Sequence, residues 1–364
     1  MPSSGPITVL RPKRVAVLWT GLSGYFAACL RSLQAQGTQL FVAHSAPASN
    51  APFSENLFDF FDHKFAWSQL PNPQGLSEAL QRFKPEAIVA AGWHIPGYRQ
   101  VLKSYAGEVI RIMCMDNQWH GRPKQWLGVL SSSFYVKKLC DAVWVPGERQ
   151  ASFAQRLGFA PSQILRGMYS CDYDKFSAES DVDRAPNKTF LFTGRLVKEK
   201  GVKTLAEAYQ RYRRETNDPW DLVCCGTGPE HKTLAKIPGV TLRGFVQPND
   251  LPSVFKRAAT FVLPSYFEPW GVAVHEATAA GLPILASSAV GSTVHLVQDG
   301  YNGFIFTPGD AGALAGILTK MTHASPEQRR EMGEASRLLA RQLTPARWAA
   351  YLLSRSCDLR NEQK

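Results

Sequence analysis

The chain has no long hydrophobic run. Its apolar stretches, such as residues 14–19 and 259–263, are short and flanked by Lys, Arg or turn residues, whereas a bilayer-spanning helix needs roughly 18 apolar residues. Residues 1–6 are small and polar and lead directly into a strand-like segment, without the apolar core of a signal peptide. We therefore expect no transmembrane helix and a cytoplasmic protein, with peripheral contact to the inner face of a membrane left open.

Cysteine is scarce and irregularly spaced. The seven cysteines are an odd number and show no C-x-x-C pair, which argues against a disulfide framework and against a zinc site. A reducing compartment is therefore expected, and no metal site is predicted. The cysteines are Cys29, Cys114, Cys140, Cys171, Cys224, Cys225 and Cys357.

Acidic residues are outnumbered, with 30 Asp and Glu against 41 Lys and Arg. Part of the excess lies in residues 1–175, which hold 18 basic and 11 acidic residues. An anionic small substrate, an acidic membrane surface or nucleic acid would each suit such a charge. No basic run interleaved with stacking aromatics occurs, so nucleic acid is not an expected partner. For the first half we favour a lipid-linked or otherwise anionic acceptor.

The length of 364 residues suits two domains better than one. Short β-rich runs alternate with amphipathic stretches in both halves, which predicts repeated βα units on parallel sheets. Predicted strands cover residues 15–19, 39–43, 87–91, 109–115, 142–145, 189–193, 221–225, 240–243, 259–263 and 283–286. Predicted helices cover residues 24–36, 76–83, 126–139, 148–157, 202–215, 272–280, 326–342 and 345–356.

The periodicity fails between residues 169 and 188, where Asp, Ser, Ala, Pro and Asn crowd together. We therefore predict an α/β protein of two facing, doubly wound Rossmann-like domains. The predicted boundaries are a first domain at 1–172, a linker at 173–188, a second domain at 189–342 and a terminal helix at 343–364. That helix could cover the second domain or pack back across the linker.

Two cations follow the buried strand at 189–193. In an open α/β sheet the ligand cleft lies beyond the carboxyl ends of the strands, which is where Arg195 and Lys200 would emerge. A planar Arg fork and a Lys point charge suit the neutralisation of a diphosphate. An ordinary, solvated helix start is the alternative.

Two acids, Glu268 and Glu276, stand eight residues apart around the predicted start of a helix. Free backbone N–H groups and the helix dipole favour an anion at such a place. A carboxylate accepts hydrogen bonds from vicinal hydroxyls, so one acid could hold a hexose and the other a ribose. Taken singly, either Glu could instead be a structural charge.

Taken in order, these motifs resemble the retaining family-four glycosyltransferases of the GT-B fold. The resemblance covers most of residues 189–310, and the combination is far more specific than any single glycine pair. The motifs are Gly194-Arg195 with Lys200-Gly201, Cys225-Gly226-Thr227-Gly228-Pro229, Gly244-Phe245-Val246, Leu263-Pro264-Ser265 and Glu268-x7-Glu276.

The resemblance implies a donor site in the second domain and an acceptor site in the first. Arg195 and Lys200 would bind the donor diphosphate, and Glu268 the donor sugar together with the backbone of Trp270, Gly271 and Val272. Glu276 would bind the ribose, and the backbone of Phe245 and Val246 would face the nucleobase. The glycines of the turns complete the implied donor site: Gly194, Gly226 and Gly228.

In the first domain, Gly21 and Gly24 resemble the family's glycine loop near the donor phosphates, although a tight βα turn explains them equally well. His94 follows a strand at a cleft-facing position and could contact the acceptor, or it could be structural. Where the family commonly has a histidine near the reacting carbon, this chain has Asp116, with His120 four residues later. Which of the two replaces the usual residue stays open.

Two other segments depart from the family pattern. Ser292 and His295 stand where a glycine and a glutamate are usual, a position that generally supports the glycine loop from below. The segment 168–172 replaces the usual hinge motif and keeps only Asp172.

The resemblance implies transfer of a hexosyl group from a nucleoside diphosphate sugar to a hydroxyl, with retained configuration and by front-face attack. UDP-sugar is preferred and GDP-sugar comes next; the acceptor is a glycan, a lipid-linked molecule or a small molecule. No cofactor or metal is needed, because cations and a helix end can neutralise the leaving diphosphate. Two alternatives remain: a non-catalytic nucleotide-sugar-binding subunit of a membrane glycan assembly complex, and a nucleotide-sugar epimerase.

Overall fold

Two parallel β-sheets organise the chain in a computed structural model that describes residues 11–46, 52–68, 71–178 and 187–362. The first sheet has seven strands in the order β3-β2-β1-β4-β5-β6-β7. These strands are β1 (Arg14–Leu18), β2 (Gln39–Ser45), β3 (His63–Trp67), β4 (Ala87–Ala91), β5 (Ile110–Cys114), β6 (Ala142–Trp144) and β7 (Ile164–Leu165).

The second sheet has six parallel strands in the order β10-β9-β8-β11-β12-β13. These strands are β8 (Thr189–Thr193), β9 (Asp221–Cys225), β10 (Val240–Leu242), β11 (Thr260–Leu263), β12 (Ile284–Ser287) and β13 (Gly303–Phe306). Both sheets are doubly wound, which confirms the predicted fold class. The strand order reverses between β1 and β4 and between β8 and β11, and ligands bind beyond the carboxyl ends of strands at such points.

Helices cover both faces of each sheet, so the inner strands read as continuous apolar runs. The β1 residues from Val15 to Leu18 and the β8 residues from Phe190 to Phe192 have no exposed surface, as expected for strands that are covered on both faces. First-domain helices are α1 (Gly24–Ala35), α2 (Pro73–Phe83), α3 (Pro96–Ser104), α4 (Pro123–Ser131), α5 (Val136–Leu139) and α6 (Glu148–Arg156).

The remaining helices follow β7. They are α7 (Tyr173–Ala178), α8 (Val202–Glu215), α9 (His231–Leu234), α10 (Leu251–Lys256), α11 (Val272–Ala279), α12 (Thr293–Leu296), α13 (Ala311–His323), α14 (Pro326–Ala340) and α15 (Pro345–Glu362). None of the helices in the described part of the chain combines the length and apolar character of a bilayer-spanning segment.

The C-terminal helix α15 packs back on the first domain, against α1. Trp348 stacks on Trp144 with ring centroids 4.6 Å apart, and its indole N–H donates to the carbonyl oxygen of Met168 at 2.8 Å. Helix α14 packs instead on α11 of the second domain. The two terminal helices therefore pack on different domains, α14 on the second and α15 on the first.

One local prediction was wrong. The single helix predicted at 126–139 is divided into α4 and α5, because the buried Ser132 hydroxyl donates to the carbonyl oxygen of Leu157 at 2.7 Å and anchors the turn between them. The predicted linker at 173–188 begins with α7, whose Tyr173 and Phe176 are buried. Residues 179–186 of that linker lie outside the described residues.

Candidate active site

A cavity of about 260 Å³ lies between the domains, at the carboxyl ends of β8 and β9 and beside the first turn of α1. Both domains line it, so it exists only where the two halves of the chain meet. Seven residues predicted for the donor site line this cavity: Gly24, Gly194, Arg195, Gly226, Phe245, Val246 and Glu276.

Arg195 is carried into the cavity by a turn that only glycine permits. A Cβ atom at Gly226 would overlap the carbonyl oxygen of Gly194, and one at Gly228 would overlap that of Leu196. Both glycines also have positive φ, at 141° and 153°. The glycines after β9 thus let two turns approach closely and orient the exposed side chain of Arg195.

Lys200 and Glu268 form an ion pair beside the cavity, with only 17% and 13% of their side chains exposed. The Lys200 side chain runs along Gly194, whose Cβ position would be 3.7 Å from Cε of the lysine. The Glu268 carbonyl oxygen accepts a hydrogen bond from the Gly291 N–H at 3.0 Å. The residue predicted to bind phosphate and the residue predicted to bind the sugar are therefore paired with one another.

The first turn of α11 separates the two predicted acids. Gly271 precedes it with φ 93°, and a Cβ atom there would press on Val290 and on the side chain of Glu268. The buried Ser292 hydroxyl donates to the Gly271 carbonyl oxygen at 3.3 Å, so this residue supports the turn from below. Val272 is the first residue of the helix.

Glu276 faces the cavity one turn further along α11, with Asp172 and Lys175 of the hinge also in the lining. Burial, and secondarily the charge of Asp172, raise the pKa of Glu276 to about 8. Lys175 forms an ion pair with Asp172 at 3.4 Å. This raised pKa keeps Glu276 protonated at neutral pH.

The residue before it, His275, fixes the hinge to α11. The Cys171 N–H donates to His275 Nδ1 at 3.1 Å, and Nε2 donates to the Ala340 carbonyl oxygen at 3.3 Å. Burial lowers the pKa of His275 to about 4, so the ring is neutral. This contact is not evident from the sequence, because its partners are 65 and 104 residues away.

The far end of the cavity is aromatic. Phe245 meets Phe53 of the first domain edge-to-face, with ring centroids 5.4 Å apart. Gln247 bridges the domains at the same place, since its amide donates to the Pro52 carbonyl oxygen at 2.9 Å. The flat face of a nucleobase could pack on such aromatic side chains.

The predicted glycine loop contributes one of its two glycines. Gly24 lines the cavity, and a Cβ atom there would be 2.7 Å from Pro248 of the second domain. Gly21 lies outside the lining and has no atom within 4 Å of its Cβ position, which fits the simple βα turn. The lining also includes Thr193, whose buried hydroxyl has no hydrogen-bond partner within the described residues.

Asp116 lies at the carboxyl end of β5, where its carboxylate accepts a hydrogen bond from the Tyr169 hydroxyl at 3.3 Å. Tyr169 packs edge-to-face on Tyr25, which lines the cavity. Burial raises the pKa of Tyr25 to about 12, so its hydroxyl keeps its proton. Tyr25 was missed by the sequence analysis, because helix periodicity alone makes it a core residue.

The two predicted acceptor-side histidines lie outside the cavity lining. His120 packs on Phe267 across the domain boundary, with ring centroids 5.7 Å apart, one residue from Glu268. His94 is exposed after β4. The structure thus brings His120 close to the paired acid and leaves His94 further out.

First-domain amides hold the loop that carries Glu268. The buried Gln150 donates to the Pro269 carbonyl oxygen at 2.5 Å, and Gln118 donates to the same oxygen at 3.2 Å. The Trp270 ring is buried at this boundary, close to Gly147 and 5.6 Å from His295, and does not line the cavity. No sequence motif marks Gln150, because its role depends on the facing domain.

Comparison with known proteins shows which family the second half of the chain is similar to. Residues 175–339 match the family described as "Glycosyl transferases group 1". This matched segment, which lies in the second half of the chain, belongs to the family. Glycogen synthase of Mycobacterium tuberculosis is 31% identical over 271 residues, which are 70% of this chain and 65% of that protein. Sulfoquinovosyl transferase SQD2 of Arabidopsis thaliana is 28% identical, over 92% of this chain and 72% of that protein.

Coverage of the first curated relatives is partial. The aligned region spans 34% of an uncharacterized glycosyltransferase of Methanocaldococcus jannaschii, at 32% identity and over 35% of this chain. It spans 43% of the alpha-D-kanosaminyltransferase of Streptomyces kanamyceticus.

Solved structures share the fold over nearly the whole length of this chain. A glycosyltransferase from Rickettsia africae matches with a TM-score of 0.75 at 12% identity, covering 95% of this chain and 98% of that one. Anabaena Alr3699/HepE in complex with UDP and glucose matches with a TM-score of 0.72 at 16% identity, covering 94% and 99%. The fold is therefore GT-B, as the resemblance implied.

Proposed function

We propose that this protein transfers a hexosyl group from a nucleoside diphosphate sugar to an acceptor hydroxyl with retained anomeric configuration. UDP-sugar is the preferred donor and GDP-sugar the next. The observation that carries the proposal is an interdomain cavity whose lining includes Arg195, Glu276 and the aromatic Phe245. A sugar nucleotide offers a diphosphate for Arg195, a ribose diol for Glu276 and a base for Phe245.

The proposed binding mode follows from the lining. Arg195 pairs with the diphosphate through its planar fork, Glu276 accepts hydrogen bonds from the ribose hydroxyls, and the base lies between Phe245 and Val246. Glu268 and the backbone at Gly271 hold the sugar. A protein of the same fold is described with UDP and glucose bound, which supports this choice of donor class.

Transfer requires that the departing diphosphate be stabilised as its negative charge grows. Arg195, Lys200 and the free N–H groups at the start of α11 can supply this stabilisation without a metal ion. When a diphosphate draws Lys200 towards itself, Glu268 loses its partner and becomes free to bind sugar hydroxyls. The Lys200–Glu268 ion pair is thus exchanged for contacts with the donor when the donor binds.

The proposed chemical step is front-face attack. The bond from the anomeric carbon to the phosphate oxygen breaks, a bond to the acceptor oxygen forms, and the acceptor proton passes to the leaving phosphate oxygen. The acceptor, a glycan, lipid-linked or small-molecule hydroxyl, enters from the first domain near Asp116 and His120. We also propose a cytoplasmic location, which is supported by the burial of all seven cysteine side chains in the core rather than in a disulfide framework.

The test is a thermal-shift screen against UDP-, GDP- and ADP-sugars, followed by assays of donor hydrolysis and transfer. Bound donor raises the unfolding temperature by mass action. We expect Arg195→Ala to lose the shift and the activity, and the exposed Arg214→Ala on α8 to keep both. Donor binding without hydrolysis or transfer would favour the non-catalytic subunit, and epimerised donor the epimerase. An Arg195→Ala variant with unchanged donor affinity would refute the binding mode.

A further inference from the structure

Helix α4 has no buried face, because none of its nine residues is buried. A globular helix normally covers a core with its apolar face, yet Trp126, Leu127 and Leu130 of α4 are more than half exposed. The following turn adds Phe134, which is 78% exposed, and Tyr135. We call these five residues the α4 surface.

The α4 surface is concentrated rather than scattered. The other exposed large hydrophobic side chains of the described residues either line the interdomain boundary, as Phe267 does, or lie in the second domain and on α15. An exposed apolar cluster of this kind marks a surface for a partner or a membrane.

The chain segment that carries the α4 surface has charges of one sign. Between Asp116 and Asp141 the chain has no acidic residue. It has four basic ones there, namely Arg122, Lys124, Lys137 and Lys138. None of these four takes part in an ion pair within the described part of the chain. Their charge is therefore available to an external anion.

Two further arginines border the surface. Arg156 lies over the Trp119 ring at 4.8 Å, and that ring meets Trp126 edge-to-face at 5.0 Å. Arg99 lies over the Tyr135 ring at 6.0 Å. Aromatic and aliphatic side chains surrounded by cations are the composition that inserts into the interface of an anionic bilayer.

We propose that the α4 surface docks this protein onto the surface of an anionic lipid bilayer. The helix would lie in the interface with Leu127, Leu130 and Phe134 inserted and the four basic residues against lipid phosphates. The segment between Asp116 and α4 contains His120 and Gln118, which touch the loop of Glu268. Docking would therefore bring the acceptor side of the cleft close to the membrane.

Membrane docking would serve to deliver a lipid-linked acceptor, and only this purpose rests on the proposed function. The binding itself is measured without donor or acceptor, so failure of one proposal leaves the other standing. The probe is sedimentation of the full chain with vesicles of phosphatidylcholine, with and without phosphatidylglycerol, at low and high salt.

We expect binding to the phosphatidylglycerol vesicles that weakens with salt. Lys124→Ala with Lys138→Ala should weaken it about 30-fold, at about 1 kcal/mol for each cation. Leu127→Ser with Phe134→Ser should weaken it at least about tenfold, and less steeply with salt. Both pairs are exposed, so the fold should be kept, which circular dichroism and thermal unfolding check.

The matched controls lie on the second domain: Lys232→Ala with Lys236→Ala, and Leu338→Ser, which is 54% exposed. Both should bind vesicles like the unaltered chain. The proposal is overturned if the unaltered chain does not bind anionic vesicles, or if the controls lose as much affinity as the α4 variants. Self-association that depends on Leu127 and Phe134, without vesicle binding, would overturn it in favour of a second copy of this chain.

Discussion

Glu276 should destabilise the protein progressively as the pH rises from about 4.5 to about 8, and Glu276→Gln should relieve this. Its pKa is raised from 4.5 to about 8, first by burial and then by Asp172. Between these values the unfolded chain releases the proton while the folded chain keeps it, so the free energy of unfolding falls as pH rises. The loss is complete above pH 8 and absent below pH 4.5.

The size of the effect follows from the shift. A rise from 4.5 to about 8 corresponds to at most about 5 kcal/mol. Because the side chain is only partly buried and faces a cavity that admits water, solvent screening lowers our expectation to about 2 kcal/mol. Glu276→Gln removes the ionisation and keeps the shape of the side chain.

The assay is urea unfolding at several pH values between 5 and 9. We expect Glu276→Gln and the parent chain to be equally stable near pH 5 and to diverge by about 2 kcal/mol near pH 9. The exposed Glu331→Gln on α14 is the control and should show no such divergence. A variant that tracks the parent at every pH would refute the buried, protonated state.

The same group links pH to donor binding. Ribose hydroxyls donate to a carboxylate better than to a carboxylic acid, so binding should release a proton and UDP affinity should rise as pH increases towards 8. Asp172→Asn should shift this dependence to lower pH, because it removes the neighbouring charge. Calorimetry in buffers of different ionisation enthalpy detects the released proton, and its absence would show that Glu276 does not meet the ribose.

Three further predictions concern the scaffold of the site. Gly226→Ala should destabilise the fold by about 3 kcal/mol or more, because its Cβ would overlap the backbone of Gly194. Gly316→Ala in α13 has open space around its Cβ position and should stabilise the fold by up to about 1 kcal/mol. Chemical denaturation of both variants measures these changes. Gln150→Leu removes the buried amide that donates to the Pro269 carbonyl oxygen, so it should lower stability by about 1–3 kcal/mol and raise the KM for the donor. The control Gln155→Leu, at an exposed position, should change neither quantity. An unchanged KM for Gln150→Leu would show that the Pro269 loop does not contribute to donor binding. The seven thiols should react with Ellman's reagent only slowly in the folded chain and fully in denaturant, because all are buried; rapid reaction of a folded-state thiol would contradict this.

Much of the fold was readable because its signals are local. Buried strands such as β8 and β11 appear as apolar runs. The turns after β8 and β9 have glycine in a positive-φ conformation, at Gly194 and Gly226, and the sequence displays both. The cations and acids of the donor motifs stand at fixed distances along the chain. Their assigned roles in donor binding stay predictions until the variants are measured.

Other features could not be read along the chain, because they depend on atoms that are distant in sequence. Tyr25 and Asp172 enter the cavity only when the domains meet, and the pKa of Glu276 follows from that burial. The periodicity of 126–139 predicted a helix but not that Ser132 divides it, or that the apolar face of α4 stays uncovered.

The amino-acid sequence by itself determined two doubly wound domains and the motif residues after their strands, since periodicity and glycine turns are properties of neighbouring residues. The tertiary structure alone decided that Lys200 pairs with Glu268, that α15 returns to the first domain, and that Gln150 supports the facing loop. Those contacts join residues many positions apart, and only the packing of the completed domains brings them together.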